Sequence, residues 1–534
     1  MSRIIVLPAC GVWPMLEYEL DIIQRKLDAG HEVVLLVCEG DVPFCPANLE
    51  LKARVCVECR SRTRAGINWL NNKQRLTVGR LYNITHEQKL VSHNWAEELS
   101  TLDDSSEISN LPVELASLDW YATAFSTLQT TLKQFEPNVS AHVDLFRRVI
   151  VDFFQSYFAF TCNINDYKPD EVWVFNGRVS RFRPALRICQ RDKIKSYVYE
   201  YPYQGFKRYL VFPGQYPHDF GFRSKTWKRR FDENALPVSR RLALGDAWYR
   251  KRLARIPTSH EKVFSAWQTG DLLPKNWDSS VFNVSVFNSS EWESAGVPES
   301  RRWNYDDQYS AIERIALDTQ GIPNLHFTFR IHPHMARKDK PSAERFLTLG
   351  RFPNITVLPP ESQYDTYALA MASDVVLTFY SLVGVESAWL GKKVIAVGPT
   401  PYQDFGCVYL PNSHDELIDF FTHSKYSDAQ FPAVEMRKRG AQEFAFARLF
   451  SGTKPIYVVK NHYSRAQMRR GGCLTEIKAG MSIRIINRFA SLPAYLVEAV
   501  RRMAEDRFLR KEIAQHPLRA ISRFIQDRIL GLTP

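Results

Sequence analysis

The chain has no uninterrupted apolar run near the roughly 20 residues an α-helix needs to cross a bilayer, so no transmembrane span is expected. It also lacks a convincing secretory leader. Met1 to Met15 is apolar, but it carries a single early arginine and is broken by Pro8, Gly11 and Pro14 before Glu17. The expected location is therefore cytoplasmic. With 9 cysteines, an odd number, a disulfide framework is not expected in that compartment. No helix-turn-helix and no aromatic RNA-binding sequence is present, which sets nucleic acid aside as a partner despite a net charge of +12. Charged residues at 24% and hydrophobic residues at 45% leave no case for disorder or a coiled coil.

What is present is enough chain for more than one core: 534 residues predict two large domains and an appendage. Basic residues thicken between Arg223 and Arg255 and again from Arg437 to Arg528, a distribution that fits an anionic substrate or an anionic membrane surface.

Arg3–Leu7 reads as a buried strand, Leu16–Leu27 as a helix stopped at Gly30, and His31–Cys38 as a second strand. That βαβ unit implies a parallel sheet with a right-handed crossover. From about residue 60 to 165 the pattern loosens into a helical insertion, with Ala141–Phe158 its most apolar stretch. The sheet resumes with Glu171–Phe175, a helix over Pro184–Arg191 and a strand at Ser196–Glu200. A basic, helix-prone link over Arg223–Ile256 follows. A second alternation begins at Lys262, with strands at Val281–Phe287, Leu325–Ile331, Asp374–Leu377 and Lys393–Val397. The predicted fold is α/β, two Rossmann-like domains facing each other, over residues 1–245 and 246–430. Residues 431–534 read as a helical basic tail, its last helices at Ile483–Met503 and Phe508–Leu530 amphipathic enough to lie on anionic lipid or to pack on the protein itself.

Two segments carry the chemistry. Arg330-Ile331-His332-Pro333 ends a strand at the edge where ligands of open α/β sheets bind, and both side chains can donate to phosphate. Thr378 to Glu386 lies between the next strand and a short helix. Ser381 can cap that helix, Gly384 falls in its first turn, and Glu386 can accept from ribose or sugar hydroxyls. The helix start offers free N–H groups to a phosphate. Together the two segments indicate a nucleotide phosphate site.

The order Phe287-Asn288-Ser289-Ser290-Glu291, Arg330 to His334, Ser381 to Gly391 and Val397-Gly398-Pro399-Thr400-Pro401-Tyr402 resembles the capsule polysaccharide biosynthesis glycosyltransferases over about residues 260–425. Asn176-Gly177-Arg178 and Tyr199-Glu200 add a shorter likeness in the first half. The resemblance implies a GT-B fold with an HP motif and an S motif. It further implies a CMP-, UDP- or GDP-sugar donor on the second domain, a glycan or lipid-linked glycan acceptor on the first, and His332 and Ser381 on the donor phosphate. It leaves Trp389, His334 and the catalytic base unassigned.

Enzymes of this fold often place the base after the first strand, which points to Glu17 or Glu19. Two apart on a helix, they face different ways. Asp219, beside His218, is a third candidate. Cys38, Cys45, Cys56 and Cys59 include a Cys-x-x-Cys pair, so a structural zinc knuckle stands beside plain cytosolic thiols as a reading. Four thiolates would leave zinc no open position, so no catalytic metal is expected. The remaining cysteines read as core. Alternatives to a transferase are a UDP-sugar 2-epimerase-like enzyme, a polyol-phosphate transferase, and a non-catalytic scaffold in polysaccharide export.

Overall fold

The computed structural model describes residues 1–11, 14–100, 119–201, 208–256, 268, 270, 272–294, 296–297, 305–422, 428–462, 465–470, 473–480 and 483. The basic helices expected at Ile483–Met503 and Phe508–Leu530 thus lie, but for one residue, outside the described residues.

Two open sheets form the frame. The first joins β1 (Arg3–Leu7), β2 (Glu32–Val37), β3 (Leu76–Arg80), β4 (Glu171–Phe175), β5 (Lys195–Glu200) and β6 (Leu210–Pro213) in the order β3-β2-β1-β4-β5-β6. All neighbours are parallel except the antiparallel edge pair β5–β6. The second joins β7 (Phe282–Phe287), β8 (Leu325–Arg330), β9 (Ile355–Leu358), β10 (Val375–Thr378) and β11 (Lys393–Ala396) in the order β11-β10-β7-β8-β9, wholly parallel. Counted from its own first strand, each sheet runs third, second, first, fourth, fifth, the doubly wound order. Its direction reverses beside β1 in one sheet and beside β7 in the other.

The central strands are continuous apolar runs because both faces are covered. Ile4, Ile5 and Val6 of β1 and Val375, Val376 and Leu377 of β10 are completely buried. The loose region between β3 and β4 is a helical crossover, His86–Leu99, Trp120–Leu132 and Val143–Tyr167, the last carrying Phe146, Phe153 and Phe154 into the core. β3 itself, which the sequence leaves inside the insertion, is an edge strand of the sheet, short and polar because one side has no partner.

The basic link is two helices, Phe220–Asp232 and Val238–Leu253. The second crosses helix Val434–Phe450 so closely that a Cβ on Gly245 would lie 2.1 Å from the Gln442 carbonyl oxygen. Beyond that helix the expected run of helices gives way to a three-stranded antiparallel sheet, β12 (Val458–His462), β13 (Arg465–Arg470) and β14 (Cys473–Thr475). Its charged residues hide the alternation that marks a strand. This sheet returns to the first domain. Asp21 on helix Met15–Asp28 accepts from the Ile456 and Tyr457 N–H groups, both at 2.7 Å, and the Tyr457 ring packs edge-on against Trp69.

The carboxyl edges of the two large sheets face one another. After β4, Arg178 donates to the Trp292 carbonyl at 3.2 Å and Arg183 to the Gly296 carbonyl at 2.6 Å, both in the loop after β7. Among the described residues, no helix is long and apolar enough to cross a membrane.

Gly245→Ala should cost about 1–3 kcal/mol, since backbone at a helix crossing cannot yield as a side chain end can. A clearly lower midpoint of urea unfolding is expected; an unchanged midpoint would contradict the crossing.

Candidate functional site

On the second sheet the expected residues meet at one edge. Asn288, just past β7, accepts the His332 N–H at 2.7 Å, so the loop after β7 holds the loop after β8. His332 Nδ1 accepts the His334 N–H at 3.2 Å, which leaves the imidazole proton on Nε2. Burial, with His334 and Arg330 adding positive charge nearby, lowers the His332 pKa to about 4, so the ring is a neutral donor at physiological pH. Ser381 caps helix Leu382–Trp389, accepting from the Val383 N–H, and its carbonyl accepts from Tyr402 Oη at 2.8 Å. Gly384 is required by space: a Cβ there would lie 2.5 Å from Thr378 Cγ2 and 2.6 Å from Tyr402 Oη.

Two expected donor contacts have other partners. Arg330, 2% exposed, donates to the carbonyls of Tyr364 and Ser362, both at 2.9 Å, so its fork holds the loop after β9. Glu386 is buried, paired with Arg252 of the link helix, and accepts from Tyr367 Oη at 3.0 Å. A buried carboxylate must find such partners, and the link helix supplies one. Trp389 likewise has a packing role: it donates to Asp246 at 3.0 Å and stacks on Tyr249.

Beside these residues lies a cleft that gathers the Phe287–Glu291, Thr378–Glu386 and Val397–Tyr402 segments and adds Tyr305, Asp307 and Phe135, which the sequence does not single out. It is walled by Glu291, Tyr305 and Asp307 together with Tyr380, Gly398 and Pro399, and Phe135 reaches it from the first domain. Its lining comes from the loops after β7, β10 and β11. Tyr305 Oη meets His414 Nδ1, and His414 Nε2 meets Asp318 at 2.8 Å, a chain from half-buried Tyr305 through buried His414 to exposed Asp318, its members far apart in sequence.

The three candidate bases have different surroundings. Asp219 caps helix Phe220–Asp232, accepting the Phe222 N–H at 2.8 Å. Glu17 is buried against Arg62, and desolvation, partly offset by that cation, raises its pKa to about 7. Glu19, 1% exposed, sits behind β1: its Oε1 accepts from the Ala9 N–H at 2.7 Å, Tyr199 Oη at 3.0 Å and Tyr201 Oη at 3.1 Å. Burial raises its pKa to about 8, with those bonds pulling the other way. Its Oε2 is buried with no hydrogen-bond partner in the structure. Both glutamates are buried, Glu17 against Arg62 of helix Ala53–Trp69 and Glu19 against Tyr199 and Tyr201.

The zinc reading does not fit. Cys38 Sγ accepts from the Gly40 N–H, Cys56 Sγ from Asn48 Nδ2 and Cys59 Sγ from the Gly11 N–H, three separate targets at 3.3, 3.3 and 3.1 Å. Among the described residues no group of three or more His, Cys, Asp or Glu side chains could hold a metal ion. Cys38, Cys45, Cys56 and Cys59 instead line one cavity together with Cys10. Of the cysteines read as core, Cys189 and Cys407 are buried, Cys10 and Cys162 are half-buried, and Cys473 is exposed.

No family model matches the chain, and no curated protein does. Among solved structures, the chain is similar to KpsC, a beta Kdo 2,4 transferase of Thermosulfurimonas dismutans, at 12% identity and TM-score 0.33, over 60% of this chain and 87% of that one. It is also similar to a UDP-GlcNAc 2-epimerase from Neisseria meningitidis, at 13% identity and TM-score 0.27, over 84% and 98%. The glycosyltransferase SsfS6 of Streptomyces sp. SF2575 aligns over the same shares at 11% identity and TM-score 0.23. The strand order of the chain's own sheets, not these likenesses, carries the fold.

Because Glu19 titrates near 8 when folded and near 4.5 when unfolded, burial costs stability progressively as pH rises through that window. Glu19→Gln should therefore gain melting temperature over the native chain between about pH 5 and about pH 9. An offset equal at both pH values would sink this assignment.

Proposed function

We propose that the chain is a glycosyltransferase that moves a sugar from a nucleotide-sugar donor on the second domain to a capsule, lipopolysaccharide or related surface glycan on the first. The observation that carries this reading is that Asn288-held His332 and the Ser381-capped helix start follow β8 and β10, the two parallel strands that flank β7, at the edge facing the other sheet. There His332 Nε2–H and the helix dipole would both meet a phosphate as it takes on charge. Gly384 keeps that helix start tight against β10.

On the other side we assign the base to Glu19. The acceptor hydroxyl gives its proton to the Glu19 carboxylate, its oxygen bonds to the anomeric carbon, and the bond from that carbon to the phosphate oxygen breaks. The nucleotide then leaves with the electron pair. Arg330 and Glu386 act as positioning residues, holding the loop after β9 and the S-motif helix.

Titration with CMP, UDP, GDP, CDP and their sugars should raise the melting temperature with one nucleotide class. In His332→Ala that ligand should bind about tenfold more weakly, the size of one hydrogen bond to a charged group. No shift with any nucleotide at millimolar concentration would favour the scaffold reading. With donor and acceptor in hand, the rate should climb with pH and level off above about 8, since the base works ionised; a rate that falls over that range would remove Glu19 from the role.

A further inference from the structure

The cavity behind Glu19 opens no polar surface comparable to the donor side. Its walls are Leu16, Leu20 and Ile23 of helix Met15–Asp28, Val55 and Ile67 of helix Ala53–Trp69, and Leu35 of β2. The thiols of Cys10, Cys38, Cys45, Cys56 and Cys59 complete it, and sulfur behaves there as a soft, weakly polar surface. The polar residues on the wall spend hydrogen bonds on the protein itself. Asn48 donates to the Lys52 carbonyl at 3.0 Å, Thr63 to the Cys59 carbonyl at 3.0 Å, Arg60 to the Glu39 carbonyl at 2.9 Å and Arg181 to the Phe44 carbonyl. Among the described residues, Glu19 lines the cavity as its one carboxylate, is 1% exposed, and keeps Oε2 without a partner, as Arg60 and Arg181 each keep a buried Nε.

A sugar placed in the apolar part of this cavity, away from Glu19, would bury several hydroxyls against methyls and thiols, a cost that part of the wall does not offset. An alkyl chain would lose nothing polar and would gain by leaving water. The geometry points to this cavity as a binding site for an alkyl chain of the acceptor, with a hydroxyl of the same molecule meeting Glu19 Oε2. The inference rests on the transferase reading only for the word acceptor; the apolar site stands on the cavity itself. It lies at the carboxyl edge of β1 and β2, the edge that faces the second domain.

The cysteines make the site readable. Full-length protein is alkylated with N-ethylmaleimide alone, with octyl β-glucoside below its micelle concentration, or with glucose, and each cysteine is followed by mass spectrometry. Octyl glucoside at ten times its dissociation constant should slow labelling of Cys38, Cys45, Cys56 and Cys59 about tenfold. Glucose should not, and exposed Cys473 on β14 should label equally throughout. Hexyl, heptyl and octyl glucosides should gain about fourfold in affinity per methylene. Calorimetric titration gives a readout that needs no thiol access. There Val55→Trp, which fills the cavity, should abolish binding while keeping its nucleotide shift. Protection by glucose equal to that by octyl glucoside, no dependence on chain length, or undiminished binding to Val55→Trp would each overturn the proposal. A nucleotide shift without alkyl binding removes the cavity and leaves the transferase; alkyl binding without a nucleotide shift does the reverse.

Discussion

The cleft depends on buried guanidinium groups that reach from one sheet's carboxyl edge to the backbone of the other. Arg183, completely buried, pairs with Asp119 at 3.1 Å and donates to the Gly296 carbonyl, while Arg178 reaches the Trp292 carbonyl. A buried cation that loses its partners costs several kcal/mol. The planar fork of arginine satisfies that demand with two directed bonds, which also sets the distance between the loops it joins. The loops after β4 and β7 are thereby held in one relation, and the residues around them inherit it.

The same constraint sorts the polar residues of the second domain. Arg330 and Glu386 are completely enclosed, so each must be neutralised or hydrogen-bonded by protein. They hold the loop after β9 and the link helix to the strand ends. His332 and Ser381 are oriented by bonds to backbone groups, the His334 N–H on the imidazole and the Val383 N–H on the hydroxyl. On the first domain burial acts on acids instead. Glu19 has its charged form disfavoured until about pH 8, next to a cavity lined mostly by apolar side chains and thiols.

Local pattern carried much of this. β1 and β4 are read from the sequence at their observed bounds, because a buried parallel strand is a short apolar run whatever surrounds it. The order of the His332 and Ser381 segments is legible for a related reason: a strand that ends in His-Pro, and a Ser before a helix, are local signals. β3, β9 and β12–β14 escaped. β9 is only four residues long, β3 and β12–β13 mix in polar or charged residues, and β3 and β9 lie at sheet edges, where a strand owes its existence to the one neighbour it pairs with.

The class of the fold, two alternating α/β halves, and the strand-end segments around His332 and Ser381 are legible in the chain itself, since periodicity, caps and strand ends are set within a few residues. Which polar groups are engaged depends on tertiary packing. Arg62 meets Glu17 across 45 positions, Arg252 meets Glu386 across 134, and of the four cysteines that suggested zinc, which share one cavity, Cys38, Cys56 and Cys59 turn to three separate donors. Each is decided by which distant segment buries the group, because desolvation, not the identity of the residue, determines what partner a charge must have.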